Sequence, residues 1–278
     1  VHRGTAFIGT DRKRDHVMRK MFKAALAATL LVAGGLGSVA TASAEDLETI
    51  KSAGVMKIAM SGAYPPFNFV DEQNKVVGFD PAIGAEIAKR LGVEVEVVTT
   101  AWDGIIAGLL TNKYDAIVGS MSITPKREEV VDFVGPYYRM SRGVFVTDGS
   151  AVQSLDDLKD KTLGATLGET HEKWAREKGG WDIKTYKGLP ELLLELENGR
   201  IDALVADDIP VLLAIKKNGM TLRQLDTPNI EGADDKAGIA IRKGNPELAA
   251  AMQKALDDMM ADGTYEAIAM EWIGADIR

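Results

Sequence analysis

Two residues in this chain can hold the opposite charges of one small molecule. Arg127 closes the stretch Asp115-Ala116-Ile117-Val118-Gly119-Ser120-Met121-Ser122-Ile123-Thr124-Pro125-Lys126-Arg127. A guanidinium fork matches a carboxylate in shape and charge. Asp207 closes a second stretch, Leu196-Glu197-Asn198-Gly199-Arg200-Ile201-Asp202-Ala203-Leu204-Val205-Ala206-Asp207. A carboxylate there would pair with an ammonium. Ser120 and Ser122 add two hydroxyls near the arginine. A cation on one wall and an anion on the other would suit an α-amino acid zwitterion. Each residue also has a plainer reading. Arg127 can be a solvated helix arginine, and Asp207 can cap the helix that follows it.

The elements that must position these groups can be read from the same stretches. Ala116 to Val118 reads as a short buried strand, followed by Gly119 and the two serines. A helix restarts at Thr124-Pro125, with Thr as N-cap and Pro at the first helical position. Ligands of open α/β sheets bind beyond the carboxyl ends of strands. The second stretch echoes the first, allowing a one-residue gap: helix end, turn, Asp-Ala-aliphatic-Val strand, polar residue. Ser120 and Asp207 fall at the same offset from Asp115 and Asp202. The echo predicts two similar α/β lobes whose strand ends face one cleft, although helix-turn-strand units also resemble one another by chance.

Composition narrows the chemistry. The 278 residues suffice for two modest domains, with 46% apolar and 27% charged residues. There is no cysteine, which excludes disulfides, thiolate nucleophiles and thiolate metal sites. His2 and His16 precede the expected mature start, leaving His171 alone. Nucleophilic triads therefore have almost no material, and a metal site would have to be all-oxygen, a spacing not seen here. No catalytic residue, metal or cofactor is expected. Arg19, Lys20 and Lys23, the apolar run Ala24 to Val39, and Ala42-Ser43-Ala44 have the order of an export signal cleaved before Glu45. Seven of the 33 basic and two of the 41 acidic residues precede Glu45, so the remainder carries 26 and 39, a formal charge of −13. That balance lacks a nucleic-acid footprint.

Along the chain, strands are predicted at Val55 to Met60, Val93 to Val97, Gly143 to Val146, Thr162 to Thr166, Ile183 to Tyr186 and Gly238 to Ile241. A small hairpin is expected about Asp71 to Asn74. Helices are expected from Asp80-Pro81 to Gly92 with Asp80 as cap, from Trp102, from Leu189 to Leu196, from Asp208 to Asn218, from Asn245-Pro246, and from Thr264 to Trp272. Alternating strands and helices make an α/β protein. Crossings between lobes are expected at Arg139 to Arg142 and at Gly232 to Ala237.

Tyr64-Pro65-Pro66-Phe67, Gly78-Phe79-Asp80, Trp102, the Asp115 to Arg127 block, Asp132-Phe133, Pro136-Tyr137, Gly168 with Thr170, Gly199 to Ala203 and Asp262-Gly263-Thr264-Tyr265 occur in order. This set resembles the periplasmic amino-acid-binding proteins of ABC importers, the polar amino acid group, over essentially the whole mature chain. The resemblance implies a two-lobe periplasmic binding protein fold of type II, with two hinge crossovers. Residues 1–44 would be the upstream extension and signal peptide, 45–139 plus 237–278 lobe 1, and 140–236 lobe 2. It implies that Arg127 holds the ligand carboxylate with the N–H groups of Ser122 and Thr170. Asp207, the Ser122 hydroxyl and the Ser120 carbonyl would hold the ammonium. Tyr64 and Trp102 would sandwich the side chain, with Met121, Thr166 and His171 at the wall. The expected protein is a periplasmic monomer that binds an α-amino acid and delivers it to an ABC permease in the inner membrane. Ser61 and Ala63 stand where relatives that bind basic amino acids often carry an acid, which argues against a strongly basic ligand. The alternative on the same scaffold is an exported cyclohexadienyl (arogenate or prephenate) dehydratase, with Glu172 as general acid.

Overall fold

A computed structural model describes residues 46–227, 230 and 235–278. The expected export segment and the Gly232 to Asp234 part of the second crossing lie outside them. Among the described residues no helix is long and apolar enough to cross a membrane.

Two five-stranded sheets carry the fold. The first is built from β1 (Val55–Met60), β5 (Glu94–Thr99), β6 (Ala116–Ser122), β7 (Val131–Met140) and β13 (Asp235–Arg242), in the order β5-β1-β6-β13-β7. β1 is parallel to β5 and β6, while β13 runs antiparallel to β6 and β7. The second is built from β8 (Arg142–Thr147), β9 (Thr162–Thr166), β10 (Asp182–Tyr186), β11 (Ala203–Asp207) and β12 (Leu222–Gln224), in the order β10-β9-β11-β8-β12. Only Ser141 separates β7 of the first sheet from β8 of the second. A third small sheet, β2 (Ala63–Tyr64), β3 (Asn68–Val70) and β4 (Val76–Val77), contains the expected hairpin.

β6 and β11 are buried along their entire lengths. This follows from their apolar runs and from helices packed on both faces. Most helix limits obey local signals. α2 (Phe79–Leu91) stops at Gly92, which is left-handed, and α7 (Asp208–Asn218) stops at Gly219 in the same way. α3 (Ile105–Leu110) follows a single 3₁₀ turn at Trp102–Gly104. α4 (Pro125–Glu128) is capped as expected, with Arg127 N–H donating to Thr124 Oγ1 at 3.3 Å. α8 (Pro246–Asp262) buries Leu248, Met252, Leu256 and Met259, and α9 (Thr264–Trp272) packs against it.

Two expectations are corrected. The strand expected to end at Val118 continues to Ser122, because Met121 and Ser122 pair with Gly238 and Ala237 of β13. Asp80 does not cap α2. The helix already begins at Phe79, and the Asp80 side chain is fully buried and committed elsewhere.

Aromatic packing fixes the first lobe. Phe67 stacks on Tyr138 at 4.8 Å, and Phe79 meets Tyr265 edge-on at 5.7 Å. Such pairs add about 0.5–1.5 kcal/mol each beyond their buried area. Gly78 lets the chain enter this cluster. Its φ is +130°, and a Cβ there would stand 2.4 Å from the Phe67 carbonyl oxygen. That carbonyl accepts from Asp80 N–H at 2.7 Å. Gly78→Ala should therefore cost about 2–3 kcal/mol. Urea unfolding would show this as a lowered midpoint, and an unchanged midpoint would mean the Phe67 turn yields.

Candidate functional site

The carboxyl ends of β6 and β11 meet at one cavity of about 330 Å³, its open mouth included. Its lining includes Tyr64, Trp102, Ser120, Ser122, Arg127, Thr170, His171 and Asp207, eight of the ten residues singled out from the sequence. Met121 is not among them. Side chains alternate along a strand, so next to cavity-lining Ser122 Met121 is turned into the apolar cluster of Ala59, Ile105 and Ile117. Thr166 is buried and does not line the cavity; its hydroxyl lowers the pKa of the Glu169 carboxyl. Ser61, Gly119 and Glu169 complete the lining.

Arg127 is half-buried beside this space. Its Nη1 donates to the Ser122 carbonyl at 2.9 Å, and the guanidinium lies 5.7 Å above the Trp102 ring centre. Among the described residues it has no ion-pair partner. Burial pulls its pKa below the usual arginine value, opposed by Glu169, Asp235 and Asp207.

Asp207 sits at the N-cap position of α7 yet makes no capping bond. Asp208 Oδ1 accepts from Ile209 N–H instead. Asp207 is 6% exposed. Its Oδ2 accepts from the Tyr64 hydroxyl, a bond between the small sheet and the second five-stranded sheet. Oδ1 stands 3.2 Å from His171 Nε2 but makes no well-aligned hydrogen bond among the described residues. It is a buried acceptor in want of a donor. Burial and the Asp207 charge push the Tyr64 hydroxyl pKa well up.

Behind Asp207 a polar chain leads to the junction of the two sheets. His171 Nδ1 accepts from Arg142 Nε at 3.2 Å, which leaves the ring proton on Nε2, facing Asp207. Arg142 opens β8, opposite Asp207 in register, and its guanidinium lies 5.2 Å over the Trp174 ring. Its Nη2 is 4.0 Å from the Asp235 carboxylate at the start of β13. Burial alone would lower the His171 pKa, but Asp207 and Glu169 outweigh it and hold the imidazole above its ordinary value.

Behind Ser120 lies a second network. Ser120 is left-handed, with φ +60°, at a register shift where Val118, Gly119 and Ser120 face Ile239 alone. A bulge of this kind re-aims a strand beside a site, and a non-glycine residue in that conformation costs on the order of 1 kcal/mol or more. Its N–H donates to the Tyr137 hydroxyl at 2.8 Å and its Oγ to Asp80 Oδ2 at 2.8 Å. The Tyr137 hydroxyl and Asn68 Nδ2 donate to the same carboxylate at 2.7 and 2.6 Å. The Ser120 hydroxyl is thus spent behind the wall.

Sequence reasoning missed Asp80, Tyr137, Arg142 and Glu169. A capping position disguised Asp80, and only the tertiary fold joins Tyr137 to Ser120 and brings Glu169 to the cavity. Arg142 did carry a signal, being the last residue of the expected crossing. Among the described residues no group of three or more His, Asp and Glu side chains is placed to hold a metal ion.

Residues 56–275 match the bacterial extracellular solute-binding proteins, family 3. The L-cystine-binding protein TcyJ of Escherichia coli (strain K12) is 32% identical over 271 residues, 95% of this chain and 99% of that protein. The lysine/arginine/ornithine-binding periplasmic protein of the same strain is 31% identical, covering 92% of this chain and 99% of that protein. Among solved structures, the ancestral amino acid-binding protein AncCDT-1, a precursor of cyclohexadienyl dehydratase, superposes with a TM-score of 0.76. It is 34% identical over 82% of this chain and 99% of its own.

Burial drives the Asp80 pKa up to about 6, against three hydrogen bonds that pull it down. Its folded pKa lies above the unfolded one. Asp80 therefore favours folding most below about pH 4 and loses that contribution as pH rises through 6, on the order of 3 kcal/mol. Urea unfolding of the wild type and Asp80→Asn between pH 4 and 7 should show the variant gaining relative stability as pH rises. A constant difference would mean the carboxyl titrates normally.

Proposed function

Because this chain belongs to family 3 of the bacterial extracellular solute-binding proteins, we propose that it captures an α-amino acid between its two lobes and delivers it to an ABC permease. One observation carries the reading. Arg127 from the first lobe and Asp207 from the second line the same cavity, and among the described residues Asp207 Oδ1 makes no well-aligned hydrogen bond, with His171 Nε2 3.2 Å away as its one neighbouring donor group. Taking a zwitterion out of water costs several kcal/mol per charge unless each charge finds a partner. The guanidinium suits the carboxylate, since it stays ionised and presents two parallel donors. The N–H groups of Ser122 and of Thr170, at the start of α5 (Thr170–Lys178), would assist it. Asp207 Oδ1 takes the ammonium, together with the Ser120 carbonyl and the Ser122 hydroxyl. Tyr64 and Trp102 are the aromatic walls.

Closure would swing residues 45–139 plus 237–278 against 140–236 about Ser141 and the segment before β13. The relatives' names and the export signal expected before Glu45 support a periplasmic location. The dehydratase reading finds no support in the position of Glu172. Its carboxylate accepts from Gly168 N–H at 2.7 Å, pairs with Arg176 at 2.8 Å, and does not line the cavity. The expectation against a basic ligand rests on Ser61 and Ala63 and takes no account of Glu169 on the facing lobe.

Calorimetric titration with each standard amino acid tests the assignment. Arg127→Ala should weaken binding by about a hundredfold or more while its thermal midpoint stays near that of the wild type. Glu172→Gln should bind as the wild type does. Undiminished affinity in Arg127→Ala would place the carboxylate site elsewhere. Turnover of arogenate or prephenate, lost in Glu172→Gln, would overturn the transport reading.

A further inference from the structure

Glu169 is an acid with no established task in a site otherwise assigned. It lines the cavity. It occupies the N-cap position of α5, where a carboxylate ordinarily accepts from the first helical N–H groups, yet it makes no such bond. The Thr166 hydroxyl on β9 acts on its carboxylate, pulling its pKa down. Among the described residues it forms no ion pair, although Arg127 lines the same space. The other ionisable lining groups are engaged. Tyr64 and His171 stand on Asp207, Asp207 awaits the ammonium, and Arg127 is matched to the carboxylate.

We propose that Glu169 reads the ligand's side chain, selecting an α-amino acid that ends in a hydrogen-bond donor, a cation above all, and rejecting one that ends in a carboxylate. The inference rests on the amino-acid reading of the cavity. Its physical basis is that two carboxylates in one enclosed space repel at full strength, and a donor satisfies a half-buried acceptor. Selection is also tied to pH. The groups facing Glu169 are Thr166 on β9, His171 on its own helix, Asp207 on β11, Arg127 beyond β6 and Tyr64 on β2. Burial, with repulsion from Asp207, carries its pKa to about 7 against the pull of His171 and Arg127. Above that pH it accepts and attracts cations; below it the neutral acid loses that preference.

The test uses the exported chain with L-arginine, L-glutamine and L-glutamate as probes, measured calorimetrically between pH 6 and 8. Glutamine and glutamate share a shape and differ in charge, so their ratio isolates the effect. The wild type should favour glutamine over glutamate by about tenfold or more. Its preference for arginine over glutamine should rise severalfold across this range. Glu169→Gln should narrow the first ratio about tenfold and flatten the second, and His171 remains in that variant as the control for its own titration. Ratios equal in wild type and variant, with binding intact, would overturn the role of Glu169 alone. Failure of every probe and every other amino acid to bind would overturn it together with the amino-acid reading beneath it.

Discussion

Two opposite charges are kept near each other without being allowed to neutralise each other. Arg127 and Asp207 line one small cavity, but each is held by its own supports. The guanidinium is held by the Ser122 carbonyl and rests over Trp102. The carboxylate is held by Tyr64 and faces His171. A direct salt bridge between them would be the cheaper arrangement for stability, and it would leave nothing for a zwitterion to bind. Arg127 stands on α4, beyond the end of β6, and Asp207 at the end of β11, so the two groups approach the cavity from different sheets' edges.

The rest of the molecule maintains this separation. The strained backbone at Ser120 persists because Tyr137 and Asp80 hold its N–H and hydroxyl from behind. Asp80 is in turn fixed by Asn68 from the small sheet and by the helix that begins at Phe79. On the other side, His171 leads from Asp207 to Arg142, the first residue beyond the β7–β8 junction, and Arg142 faces Asp235 at the start of β13. Asp207 is therefore linked through side chains to both described edges of the connection between the two five-stranded sheets.

Around the cavity the acids outnumber their obvious needs. Asp207 has Tyr64 and His171, and Asp235 has Arg142. Among the described residues Glu169 forms no ion pair. Acids gathered in one enclosed region raise one another's pKa, and burial pushes both Glu169 and Asp235 upward. Such a cavity is hospitable to a guest that brings positive charge or donors and hostile to one that brings another carboxylate.

The amino-acid sequence by itself determined the elements and their order. Helix limits at Gly92, Asn218 and Trp272, the Thr124 cap and the alternating strands are decided within a few residues, so local rules reach them. The repeated Asp-Ala-aliphatic phrase also brought Ser120 and Asp207 to one cavity, but Asp207 ends β11 in extended conformation whereas Ser120 lies inside β6, left-handed at its bulge. Only the tertiary structure decided which polar groups share a cavity and which lie behind its wall. Asp80 looks like a helix cap until Asn68, Ser120 and Tyr137 close around it. Glu169 stands where a cap is expected, and only the facing lobe makes it part of a binding wall. Met121 was legible in principle, since strand alternation turns it away from cavity-lining Ser122. Hydrogen bonds and charge repulsion act through space between residues tens of positions apart, and that distance is set by packing.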